Sequence, residues 1–135
     1  MKTLYLLDTN TVSYYIADKP PQVRENLRRV NLQSTAVSAI TEAELRYGVA
    51  RKPGAMRRRT SVESFLGDVL ILPWDSVAAR AYGQLRADQE RKGRPLSIED
   101  LMIAAHALSL GLTLVTHDSV FAYVDGLKTE DWTTR

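Results

Sequence analysis

Leu4-Tyr5-Leu6-Leu7-Asp8-Thr9-Asn10 is the stretch that decides the fold. Four consecutive apolar residues read as a strand covered on both faces, and the run stops at a polar Asp-Thr-Asn that would lie at its carboxyl end. A strand of that kind belongs to a parallel sheet packed between helices. Working outward, a helix is expected over 11–17, stopped by Asp18-Lys19-Pro20-Pro21, and another over 22–30 with Val23, Leu27 and Val30 on one face. Thr35, Val37 and Ala39 alternate as a short second strand. Thr41 can cap a helix over 42–51, with Glu44 at the capping-box position. Pro53-Gly54 interrupts, and a helix resumes over 56–68. A short buried strand over 69–72 follows. Asp75 or Ser76 opens a long amphipathic helix to Lys92, ended by Gly93-Arg94-Pro95. Ser97 caps the next helix and Gly111 closes it in the left-handed conformation that glycine favours. The run 112–115 is a last core strand. Strands alternating with helices predict a layered α/β fold on a mainly parallel central sheet. With no repeat, low-complexity tract or linker, residues 1–135 read as one domain.

The composition agrees. Of 135 residues, 44% are hydrophobic and 25% charged, ordinary values for a chain that buries one sizeable core. Cysteine is absent, which excludes disulfides and thiolate metal sites and suits a reducing cytoplasm, the expected location. The apolar start is too short for a leader or a span, and the longest apolar stretch, 101–115, is broken by His106, Ser109 and Gly111. No membrane association is expected. Net charge is only +2, but Arg51, Lys52, Arg57, Arg58 and Arg59 fall within nine positions free of acids. A second set, Arg80, Arg86, Arg91, Lys92 and Arg94, is diluted by Asp88 and Glu90. Such concentration suits a surface that meets a polyanion, although solvated helix faces would look the same.

Four acids carry the chemistry. Open parallel sheets present functional groups at the carboxyl ends of their strands, where Asp8 and Asp118 fall. Glu44 and Asp100 are expected in first helical turns facing the same edge. Asp100 shares a helical stripe with Ile103, Ala104, Ala107 and Leu108, and the helix holds no Lys or Arg, so its charge needs another partner. The spacings Ser97-x-x-Asp100 and Thr41-x-x-Glu44 also suit plain capping boxes, Asp118 could be a turn residue, and Glu42 projects elsewhere as a solvated acid. Four acids converging on one edge repel one another, and an all-oxygen set favours a hard cation, Mg²⁺ or alternatively Mn²⁺. Such an ion activates water and stabilises a phosphate under in-line attack. His106 reads as a packed or partly exposed helix residue and His117 as a loop residue. No nucleophilic serine motif or glycine-rich phosphate loop is present.

These fragments, taken in order, resemble the PIN-domain family, in particular VapC-type toxins of bacterial toxin–antitoxin pairs. The marks are Leu7-Asp8-Thr9-Asn10, the run from Ser38 to Gly48 containing Glu44-Leu45-Arg46-Tyr47-Gly48, Arg91-Lys92-Gly93-Arg94-Pro95, Asp100-Leu101-Met102-Ile103-Ala104-Ala105-His106-Ala107, Leu114-Val115-Thr116-His117-Asp118 and Glu130-Asp131-Trp132. The resemblance implies a three-layer α/β/α fold and an Mg²⁺-dependent endoribonuclease that cleaves RNA, tRNA or rRNA, to inhibit translation and growth. It places the family's acids on Asp8, Glu44, Asp100 and Asp118 as catalytic and metal-binding residues, with Asn10 and Thr116 supporting them by hydrogen bonds. It also implies a homodimer neutralised by a cognate VapB-like antitoxin in a higher assembly. Beside it, Arg57, Arg58, Arg59 and Arg86 become candidates for RNA phosphates. The apolar excess at Tyr14, Tyr15, Ile16, Leu27 and Val30 suits either core packing or an antitoxin groove. Two rivals predict other outcomes. A non-catalytic RNA- or protein-binding α/β module would bind without cutting. A haloacid-dehalogenase-like phosphatase would phosphorylate Asp8, but its second aspartate is Asn10 here.

Overall fold

The computed structural model describes residues 2–94 and 96–134, so the expected helix stop at Pro95 lies outside the described residues. In chain order the elements are β1 (Tyr5–Leu7), α1 (Thr9–Ala17), α2 (Gln22–Val30), β2 (Thr35–Ser38), α3 (Ala39–Arg51), α4 (Met56–Asp68), β3 (Leu70–Leu72), α5 (Ser76–Arg91), α6 (Ile98–Leu110), β4 (Thr113–Val115) and β5 (Thr129–Glu130). Short 3₁₀ turns occupy Leu32–Ser34 and Ser119–Tyr123. The strands pair in the order β3-β2-β1-β4-β5, every pairing parallel.

The three layers follow from the two-residue period of the strands. Leu6 stands level with Ala36 and Leu114, and all three join a core cluster with Leu85 of α5 and Leu101, Ile103 and Ala104 of α6. One residue on, Leu7 stands level with Val37 and Val115 and points the other way, into a cluster with Val12, Leu27, Leu45, Val62 and Phe65. Helices α5 and α6 therefore cover one face, and α1 to α4 the other. A fully buried leucine is stabilised by about 1.5–3 kcal/mol relative to exposure, so these few strand residues anchor both layers. Trp132 closes the second cluster, its ring edge-on to Tyr5 with centroids 5.3 Å apart.

Several elements depart from expectation. Helix α1 begins at Thr9 because Asp8 is its N-cap. Helix α3 begins at Ala39, capped by Ser38 and not by Thr41, so Ala39 leaves the strand and Glu44 lies in the second turn. Thr41 is buried inside that helix. Strand β3 is an edge strand, and Leu70 is 49% exposed where a buried strand was expected. Strand β5, unexpected, adds to β4 through the Leu114 N–H donating to Lys128 and the Thr116 N–H donating to Glu130, at 2.8 and 2.9 Å. Ser97 and Gly111 (φ 66°) bound α6 as read from the sequence. Among the described residues no helix is long and apolar enough to cross a membrane.

Candidate active site

Strands β2, β1 and β4 lie side by side, and each runs at its carboxyl end into an element bearing an acid. After β1, the Asp8 N–H donates to the Val115 carbonyl at 3.0 Å. That bond holds Asp8 between the strands, and its side chain turns back to accept the Thr11 N–H at 2.8 Å. Asp8 is 6% exposed. After β4, Thr116 is buried, its oxygen accepting the Asp118 N–H at 3.0 Å while its hydroxyl hydrogen-bonds the Asp8 carboxyl. Thr116 thus ties two of the acids together. Asp118 itself is exposed and caps the 3₁₀ turn by accepting the Val120 N–H at 3.0 Å.

Glu44 comes from α3, beyond β2. Thr9 donates its hydroxyl to Glu44 at 2.6 Å and lies 3.1 Å from the Thr41 oxygen, so the first turn of α1 grips α3 at this edge. Asp100 is in the first turn of α6. Its N–H donates to the Ser97 oxygen at 3.1 Å, and the Ser97 side chain hydrogen-bonds its carboxyl in return, so Ser97 caps the helix and steadies the acid at once.

Burial pushes the Asp8 carboxyl up, and the Asp118 charge adds to this against the lowering hydrogen bonds from Thr116 and Thr11. Glu44 is pushed up by burial and by the charges of Glu99, Asp100 and Asp8, against the Thr9 hydrogen bond. Asp100 is pushed up by burial and by the charges of Asp118, Asp8 and Glu99, against Ser97. Asp8, Glu44 and Asp100 each feel others of the set, and Asp8 and Asp100 feel Asp118, which brings all four to one neighbourhood. Among the described residues none of them forms an ion pair with Lys or Arg. Buried carboxylates without a cationic partner, mutually raising their pKa, mark a functional site more often than a structural one.

The donor set fits a hard divalent cation in chemistry: oxygen only, excess negative charge and no competing cation. It is not a closed cage, since among the described residues no three such side chains are drawn tightly enough to hold a metal as they stand. The carboxyls instead engage Thr9, Thr11, Thr116, Ser97 and Val120.

Other expected residues fall differently. Asn10 is exposed and bonds none of the four acids; on α1 its side chain points about 100° away from that of Thr9, which takes the supporting part. Arg57 and Arg58 are exposed and Arg59 is half-buried, with Arg58 donating to Ser13 of α1 at 3.3 Å. Arg86 is engaged on its own helix by Tyr82 at 2.9 Å and Glu90 at 3.4 Å. His106 is 1% exposed and packed, as read, with Nδ1 2.8 Å from the Ser38 oxygen. His117 pairs with Asp131 at 2.8 Å, and that bond raises its pKa. Glu42, expected as a solvated acid, is half-buried and bonds Arg46 at 2.8 Å. The sequence reading missed Thr9 and Glu99. Each sits beside a chosen acid, and only the packing of α1 on α3 and the charge felt at Glu44 single them out.

A family model described as PIN domain matches residues 5–127. The chain is 40% identical over 129 residues to the tRNA(fMet)-specific endonuclease VapC of Shigella flexneri, spanning 95% of this chain and 97% of that one. It is 36% identical to ribonuclease VapC2 of Haemophilus influenzae, again over 95% and 97%. Among solved structures, DNA-bound VapBC from Salmonella typhimurium superposes with a TM-score of 0.90 at 38% identity, covering 96% of this chain and 98% of that one. VapBC2 from Rickettsia felis bound to a promoter DNA fragment gives 0.88 at 31% identity, covering 96% and 99%.

Proposed function

This chain belongs to the PIN-domain family and within it to the VapC ribonucleases, and from that premise we propose that it cuts tRNA or rRNA with a Mg²⁺-loaded carboxylate site, as the toxin of a VapBC-type pair. The observation that carries the mechanism is the set of acids at the carboxyl edge that burial and mutual charge push up together and that, among the described residues, have no Lys or Arg partner. In this reading Asp8, Glu44 and Asp100 hold the ion, and exposed Asp118 completes the set or accepts a proton from water. A bound Mg²⁺, or Mn²⁺ in its place, would lower the pKa of water and offset charge on the phosphate. Thr116 keeps Asp8 and Asp118 at a fixed spacing, and Thr9 and Ser97 aim Glu44 and Asp100. Burial of Asp8 keeps bulk water from competing for its oxygens.

The whole chain, 1–135, acts here as one PIN domain working in the cytoplasm. Its partner is a VapB-like antitoxin, a reading supported by the VapBC complexes among its structural relatives. The cleft between α1, α2 and α4, about 340 Å³, has apolar walls at Tyr15, Ile16 and Phe65 and polar ones at Arg24, Ser61, Ser64 and Asp68. In this reading that mixed lining takes an antitoxin segment with both apolar and polar side chains. The chain is a homodimer in this reading, and larger with antitoxin bound. Arg57, Arg58 and Arg59 draw RNA phosphates; replacing all three with Gln is expected to lower the slope of log affinity against log salt, and an unchanged slope would remove them from the interface.

The test is to incubate the purified chain with tRNA and rRNA in Mg²⁺ and map the new RNA ends. Discrete ends that vanish with chelator support the reading. RNA bound but left intact would favour the non-catalytic module.

A further inference from the structure

The segment Arg91-Lys92-Gly93-Arg94 plays no part in the carboxylate site, yet it builds a second feature beside it. Helix α5 ends at Arg91, and Gly93 (φ 65°) turns the chain back. Arg94 is thereby laid over Tyr123, the guanidinium carbon 5.8 Å from the ring centroid and Nη1 donating to the Tyr123 carbonyl at 3.5 Å. Tyr123 ends the 3₁₀ turn that Asp118 caps, and it is 57% exposed. Between them is a cleft of about 320 Å³ lined by Gly93, Arg94, Leu96, Val120 and Tyr123. Leu96 and Val120 form an apolar floor, fixed because both pack on the core cluster beneath α5 and α6.

Position and chemistry narrow the occupant. Leu96 immediately precedes Ser97, the cap that bonds Asp100, and the Val120 N–H is the one that Asp118 accepts. The cleft therefore adjoins two acids of the proposed site through continuous chain. Asp125 accepts from the Lys92 ammonium and lies 3.8 Å from Arg94, so its single negative charge offsets part of the charge of the two cations. Phosphate attraction is weakened accordingly, while Tyr123, with Arg94 over one face of its ring, stays more than half exposed. Flat cationic and aromatic faces over an apolar floor are what unpaired RNA bases stack on.

We propose that the Arg94–Tyr123 cleft is a base-stacking subsite that holds an unpaired nucleobase of the RNA next to the phosphate being cut. It rests on the ribonuclease reading but is separable from it. The test uses full-length chain carrying Asp8→Asn, so that nothing is cut, and measures fluorescence anisotropy with a labelled ten-nucleotide oligoadenylate and an abasic ribose-phosphate strand of equal length. Tyr123→Ala is expected to weaken oligoadenylate binding about 5- to 150-fold, the usual loss per stacked base, and leave abasic binding unchanged. Tyr123→Phe should retain the affinity, and a Tyr123→Ala thermal midpoint equal to that of the parent would exclude unfolding as the cause. Equal losses on both strands, or no loss on either, overturn the subsite, the latter including the case where a partner protein's side chain fills the cleft. If wild type still cuts RNA in those cases, the ribonuclease reading survives without the subsite. If oligoadenylate binding depends on Tyr123 but wild type cuts nothing, the subsite stands and that reading falls.

Discussion

Asp88 and Asp125 lie on the outer surface beside Arg91 and Lys92, whose hydrogen bonds hold both carboxyls below the usual carboxylate range. Asp8, Glu44 and Asp100 lie at the carboxyl edge of the sheet, where burial and one another's charge push them above it. The same side-chain chemistry thus serves opposite ends. The outer acids are solvated and matched; the inner ones are desolvated and unmatched, an arrangement that works against folding. A fold that keeps such a cluster holds it for something that binds there, and the two regions should respond oppositely to neutralisation, to cations and to pH.

The largest expected effect comes from Asp8→Asn. Removing the most buried charge is expected to cut RNA cleavage by at least about 10²-fold, the scale of losing one preorganised electrostatic partner. The thermal midpoint at neutral pH should rise, because an amide relieves burial and repulsion while keeping the Thr11 N–H bond. RNA end-mapping and calorimetry on one preparation check both. Undiminished cleavage would break the comparison at its functional end.

Divalent cation comes next. Mg²⁺ or Mn²⁺ should stabilise wild type by about 2.7 kcal/mol at a hundred times its Kd, and Asp8→Asn should lose most of that gain. A gain equal in both proteins would move the ion elsewhere on the surface.

The pH response is smaller, and its sign differs between the regions. For the inner acids the folded pKa lies above the ordinary values of 3.8 for Asp and 4.5 for Glu. The folded state there holds protons that the unfolded chain has released. Stability is therefore lost as pH rises from those values through the raised folded ones. For Asp88 and Asp125 the folded pKa lies below 3.8, so their contribution is present above 3.8 and lost as pH falls through the lowered values. In metal-free protein the carboxylates' combined contribution should be greatest near their ordinary values, while His106, whose pKa burial lowers, works against stability as pH falls below 6.5. Chemical denaturation across pH, with and without Mg²⁺, should show the cation removing only the loss on the higher-pH side.

Much of this contrast could be read from the chain itself. The bounds of α2 and α4 matched because Pro20-Pro21 and Pro53-Gly54 punctuate them. Asp8 stood out because a buried strand cannot end on a charge without cause. The start of α3 was misread because Thr41-x-x-Glu44 has the capping-box pattern and Ser38-x-x-Thr41 does not, yet the packed chain buries Thr41 and makes Ser38 the cap. Strand β5 was invisible: Thr129 and Glu130 pair through backbone alone and show no apolar alternation. The Thr9–Glu44 bond joins residues 35 apart, and no spacing rule finds such a pair.

The smallest effect is expected where the comparison is easiest to mistake. Arg46 bonds Glu42 at 2.8 Å and Glu63 at 2.5 Å, a network linking α3 to α4 only two residues from Glu44. It looks like part of the site, but Arg46 and Glu63 are exposed and Glu42 only half-buried, so water screens the pairing and ordering long side chains offsets the gain. Arg46→Ala is therefore expected to leave both RNA cleavage and the thermal midpoint within experimental scatter at physiological salt. A tenfold fall in cleavage with an unchanged midpoint would mean that Arg46 acts on the carboxylate edge through α3. The division between matched outer acids and unmatched inner ones would then have to be redrawn with Glu42 on the inner side.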